Sequence, residues 1–350
     1  WGHNKGSDRW QAFLTKDAGR YIEIQAGLGK TQYGCIPMAP HTAWEWIEQY
    51  GSIQLSALNS SFESMQKEAT SYIYNNISPA RLETLLKETK RTALTPGTVV
   101  YKGSEYGALK NLESDFSGDH RLSEHLDFGK CTEEYSSVWA DFLKTGSLPK
   151  KDAASAPEDF QCSQVFYQTL KEAVCKSEKD NWYAHYQLGL MHWYYGHISR
   201  ARKELIISEE LQSNPWSCHA LGILNHDDPA AAVNYIKNGL SMRNFDLTYV
   251  KEAFQQFLIL NAGQELLDAY SELPEEIKLD SRIKYDYMSA LAMTGNYQKG
   301  YDILMADENY ILEDLRECET SIGTLYRNLY KGVFGTDPDS IPSQWDFDAL

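Results

Sequence analysis

From Arg20 to Gly27 the chain reads RYIEIQAG, with Ile22, Ile24 and Ala26 alternating against Tyr21, Glu23 and Gln25. A period of two marks a half-buried strand. Thr42 to Gln49, TAWEWIEQ, alternates in the same way, with Trp44 and Trp46 on one side and Glu45 and Ile47 on the other. Between them Pro37 and Pro40 exclude a helix and permit only an edge or a loop. Residues 1–55 are therefore expected to be strands. Two or three strands cannot close a core alone, so the rest of their sheet is expected outside this chain.

After residue 56 the period lengthens. Ser60 and Glu63 have capping-box spacing, and Phe62, Met65, Ala69, Tyr72 and Ile73 form a stripe at helical intervals. Ser78-Pro79 opens a second helix through Leu82, Leu85 and Leu86, so 56–95 reads as a helical pair. Periodicity fades over 96–160, where PGTVVYKGSEYGALKNL and LPKKDAASAPEDF suggest an irregular connector with a Gly-rich loop.

Residues 161–335 are helical and repeat. Leu188-Gly189 in YQLGLMHWYYGHISRARKEL recurs as Leu221-Gly222 in HALGILNHDDPAAAVNYI, 33 residues on, close to the period of the tetratricopeptide repeat. Gly196 falls at the turn between two helices and Ala201 where they touch; the second copy has a shorter turn at Asp227-Asp228-Pro229. YMSALAMTGNYQKGYDIL is a third copy, with Gly295 at the turn and Gly300 at the contact, and a diverged pair with Gly263 at its turn lies between. Small residues are needed where antiparallel helices approach, and each pair leaves an apolar face for the next. The fold class is thus mainly α, a tetratricopeptide-like α-α superhelix preceded by a short β segment, with 336–350 as a tail.

Charge narrows the partners. Lys and Arg number 33 against 49 Asp and Glu, a net −16, which would repel a phosphate backbone; nucleic acid is not expected. No stretch approaches the roughly 20 apolar residues of a membrane span, so neither is a membrane. Six scattered cysteines without a CxxC pair suggest reduced thiols, which favours the cytoplasm. The chain opens on Trp1, so it is expected to be part of a longer protein.

Motifs for chemistry are few. Gly27-Leu28-Gly29-Lys30-Thr31 imitates the end of a P-loop, but Ile24 stands where a glycine is needed and QYGCIPMAP cannot supply the following helix. His120, His125, His192 and His197 form no HExxH pair, and no GxSxG is present, so no metal and no cofactor is expected. Glu23 has a positional argument: opposite the isoleucine face, flanked by Tyr21 and Gln25, it can face a polar ring. On a half-exposed sheet the same face can simply meet solvent. Trp10, Tyr21 and Trp44 suit stacking on sugar faces, and equally suit a sheet core.

RYIEIQAG followed by IPMAPHTAWEWIEQYG resembles the end of the galactose-mutarotase-like β-supersandwich. The resemblance implies that Glu23 is a general base and Gln25 the glutamine two residues on. With DRWQAFLT, VVYKGSEYGALKNL, WADFLKTGSLP and AHYQLGLMHWYYG, the whole chain resembles the C-terminal part of an uncharacterised, mainly bacterial family in which such a sandwich precedes tetratricopeptide-like repeats. Mutarotases take their acid histidines from earlier strands, which this chain lacks. Two functions follow. One is a carbohydrate-active or carbohydrate-binding protein, an epimerase or glycoside hydrolase if catalytic, with Glu23 as base and Tyr21, Gln25, Trp10 and Trp44 binding the sugar. The alternative is a non-catalytic module for protein–protein interaction or self-assembly through the repeats.

Overall fold

The computed structural model describes all residues except 1–4, 17, 32, 57–60, 123–124, 158, 243–245, 308, 317–318 and 349–350. Trp1 and Ser60, invoked above, and Cys318, one of the six cysteines, lie outside the described residues. The helices are α1 (Lys5–Thr15), α2 (Phe62–Asn76), α3 (Pro79–Ala93), α4 (Glu105–Ser117), α5 (Glu134–Thr145), α6 (Gln164–Lys176), α7 (Trp182–Tyr194) and α8 (Ile198–Leu211). They continue with α9 (Pro215–Leu224), α10 (Pro229–Met242), α11 (Leu247–Ile259), α12 (Gly263–Glu272), α13 (Glu275–Lys278), α14 (Ser281–Met293), α15 (Tyr297–Ala306) and α16 (Ser321–Phe334).

Among the described residues no β-strand forms. The β segment and its sandwich are overturned, and the chain is mainly α with repeat packing alone. Alternation is necessary for a half-buried strand but does not supply a partner to pair with. Residues 21–27 and 42–50 run without regular structure, and the alternating isoleucines that a sheet would cover are open, Ile22 87% and Ile24 73% exposed.

The chain forms two compact units. One takes in Glu23–Gly103 and Leu122–Phe128. It contains α2, capped by Ser61, and α3, capped by Ser78 with Pro79 in the first turn, and neither helix buries a residue. An ion pair of 2.5 Å joins Lys90 of α3 to Glu45.

The other unit takes in Trp1–Ile22, Ser104–Arg121 and Gly129–Leu350. Its helix pairs are α7 with α8, α9 with α10, α11 with α12 and α14 with α15. The first helix of each pair begins on a short polar cap: Asn181, Asn214, Asp246 and Asp280 accept from the N–H groups of Tyr183, Ser217, Tyr249, and Arg282 with Ile283. This satisfies donors that a helix start leaves open.

Close approach within a pair depends on missing side chains. A Cβ on Gly189 would lie 2.8 Å from Leu205 Cγ, and one on Gly222 would lie 2.7 Å from Ile236 Cγ1. The turns repeat as well. Gly196, Asn261 and Gly295 have φ of 72°, 56° and 80°, and in each case the next residue's N–H reaches the carbonyl five residues back, in His192, Phe257 and Leu291. That is a Schellman closure, which needs a left-handed residue. Asn261, not Gly263, makes the third turn; Gly263 begins α12, where a Cβ would lie 3.0 Å from Met293 Sδ.

Residues 96–160 contain α4 and α5, with Trp139 and Phe142 wholly buried, so the stretch is more regular than its faded periodicity suggests. The polar, Pro-containing run after α5 is held by three indole N–H groups: Trp139 donates to Asp159 O, Trp182 to Lys151 O and Trp216 to Ala153 O. At the far end, Trp345 and Phe347 of the expected tail join Leu325, Leu329 and Trp10 of α1 in one core cluster.

Candidate functional site

The residues expected to bind a sugar are divided between the two units. Trp10 is 1% exposed, donates its indole N–H to Phe347 O at 3.0 Å and packs edge-on against Phe13 and Phe347. It is core. Tyr21 lies half-buried in the same unit, its carbonyl accepting from Gln11 Nε2 at 2.9 Å. Glu23, Gln25 and Trp44 belong to the other unit. Glu23 and Gln25 are exposed and bonded to each other, Gln25 Nε2 donating to Glu23 Oε2 at 3.0 Å. Trp44 borders an open recess of about 330 Å³ with Trp46, Leu86 and Lys90. Without a sheet no lined hollow aims Glu23 at a ligand, so the sugar site loses its basis. Residues 28–31 are bends with no helix after them, so the P-loop imitation has no anion-binding geometry.

Among the described residues, no three His, Cys, Asp or Glu side chains gather as a metal site, and no helix is long and apolar enough to cross a membrane.

The repeat unit offers a different surface. First helices meet first helices, α9 contacting α11 and α11 contacting α14, and α16 continues the row by contacting α14. Two recesses lie along this face. The smaller, about 180 Å³, is bordered by Tyr186 of α7, Trp216 and His219 of α9, and Tyr249 and Glu252 of α11. Burial pushes the His219 imidazole below its ordinary pKa, against the pull of Glu252, and its Nδ1 is buried with no hydrogen-bond partner. The larger, about 660 Å³, is bordered by Leu258 of α11, Tyr285, Ser289 and Met293 of α14, and Thr324 and Asn328 of α16. Apolar walls with convergent hydroxyl and amide groups suit a bound chain segment. Ser289 Oγ is buried there without a partner.

Beside this recess lies a charged cluster. Arg282 binds Asp314 at 2.8 Å and Glu319 at 3.0 Å, while Lys251 binds Asp280 at 2.9 Å and reaches Asp314 at 3.7 Å. Asp286, with none of its surface open to solvent, accepts from Gln255 Nε2 at 2.7 Å.

No family model, no curated protein and no solved structure matches this chain. With the sheet absent as well, the resemblance to a mutarotase-like family is overturned. What stands is an all-α, tetratricopeptide-like helical-repeat protein. The first-helix surface escapes sequence reading because it is created by stacking: Tyr186, His219 and Tyr285 are far apart in the chain and share only their places on successive first helices. The cap residues Asn181, Asn214, Asp246 and Asp280, spaced almost as the Leu-Gly pairs are, were the signal that could have set that register.

Proposed function

We propose that the chain is a non-catalytic helical-repeat scaffold whose first-helix face receives an extended segment of another protein or of a second copy. The observation that carries this reading is the alignment of α9, α11, α14 and α16 edge to edge, with recesses between them that combine apolar walls and unpaired polar groups. Stacked helix pairs provide such surfaces because each pair covers its neighbour's apolar side and leaves the first helices in a row. Sugar turnover is not part of the reading. The five described cysteines are all unpaired thiols, which suits a reducing compartment such as the cytoplasm.

The test pairs light scattering over a range of concentrations with selection from a phage-displayed random peptide library. The reading expects either self-association or selected peptides, with binding weakened about tenfold or more by Met293→Glu or Asn328→Ala on the exposed lip of the larger recess. A monomer that selects nothing, or ligands indifferent to both substitutions, rejects it.

A further inference from the structure

The cluster around Asp286 holds more acid than base. From α14 come Asp286 itself, Arg282 one turn before it and Tyr285; from its cap comes Asp280; from α11 come Lys251 and Gln255. The segment after α15 adds Tyr310, Asp314 and Glu319, with the Tyr310 hydroxyl donating to Ser281 O at 2.7 Å. Four carboxylates thus share two cations. Asp280, Asp314 and Glu319 each hold a direct ion pair, and Glu319 also accepts from the Arg316 N–H at 3.1 Å. Asp286 holds none. One oxygen accepts from Gln255, and the other, Oδ2, is buried without a partner.

A buried carboxylate with one unsatisfied oxygen is costly, whereas the neutral acid is tolerated. We infer that Asp286 is a proton-operated catch at this end of the repeat array. Carrying its proton, it leaves Arg282 committed to Asp314 and Glu319, and these pairs hold the 310–316 segment against α14. When the proton leaves Oδ2 for solvent, the new charge one turn from Arg282 competes for the guanidinium, and the hold on 310–316 weakens. Burial, opposed by Arg282, raises the Asp286 pKa to about 8, so the catch works within reach of physiological pH.

The inference is independent of the partner-binding reading, since it concerns the chain alone. Its test is amide hydrogen exchange on the whole chain between pH 6.5 and 9, corrected for intrinsic rates. Protection across 310–316 is expected to fall about tenfold or more in the unaltered protein and to stay level in Asp286→Asn. Equal behaviour of the two proteins, or protection that does not change with pH, overturns it. Should Asp286→Asn not fold, carbon-13 NMR of labelled aspartate in the unaltered chain decides: one carboxyl titrating near 8 supports the catch, and all titrating in the ordinary acid range rejects it.

Discussion

The Glu105 carboxylate receives the Ser136 hydroxyl at 2.5 Å across 31 residues of chain. It also accepts from the N–H groups of Thr132 at 2.7 Å and Glu133 at 2.8 Å, and from the Thr132 hydroxyl at 2.6 Å. Glu133, the cap position of α5, makes no side-chain cap bond of its own, so a residue from the start of α4 does that work. A negative charge at a helix start is favourable as well.

These bonds, the Ser136 hydroxyl foremost, lower the Glu105 pKa from 4.5 to about 2. The folded state therefore holds its proton less tightly than the unfolded chain, and the stabilisation is complete above pH 4.5 and fades as pH falls towards 2. Glu105→Gln should lower the melting temperature at pH 7 and narrow the gap to the unaltered protein below pH 3. Thermal melts followed by circular dichroism check both.

Gly189→Ala and Gly222→Ala should each destabilise the protein by about 1–3 kcal/mol, because the new methyl meets Leu205 or Ile236 in a core without slack. Urea unfolding measures the loss. Leu205→Ala added to Gly189→Ala should cost less than the two changes summed, since one substitution makes room for the other.

The three left-handed turns are not equivalent to mutation. Gly196→Ala and Gly295→Ala should cost about 1–2 kcal/mol, the strain of an L-residue at those angles. Asn261→Gly should be neutral or slightly stabilising, because glycine takes the same conformation without a Cβ. Unfolding free energies of the three variants test the contrast.

Trp10→Ala should cost about 3–5 kcal/mol by emptying a core site and leaving the Phe347 carbonyl without its donor. Amides near Trp345 should lose hydrogen-exchange protection, while those of α7 and α8 should not change. A uniform loss across the unit would contradict a local role.

The repeats were legible because helix contact leaves a mark in composition: Leu188-Gly189 and Leu221-Gly222 mark the contacts with Leu205 and Ile236. Other elements left no such mark. Helix α1 carries Gly6 and Ser7 in its first turn, within residues read as strand, and Asp348 backbone lies against the glycine where a Cβ would clash. Helix α5 has two serines in its first turn and takes its cap from Glu105, invisible in local sequence. The strand reading failed at Ile22 and Ile24 because alternation gives each side chain a face without saying what, if anything, lies on it. Trp10, which suited a sugar face and a core equally, lies in a core because of a distant neighbour, Phe347, that local sequence does not show.

Open-ended stacks of helix pairs are built largely from neighbours in sequence, so synthesis can finish them pair by pair. The union of α1 with Trp345 and Phe347 breaks that order. During translation Trp10 emerges on the order of tens of seconds before Phe347 at ordinary elongation rates. For that interval the indole has Phe13 of its own helix beside it but lacks the ring and carbonyl of Phe347 that seat it, so α1 is expected to dock late.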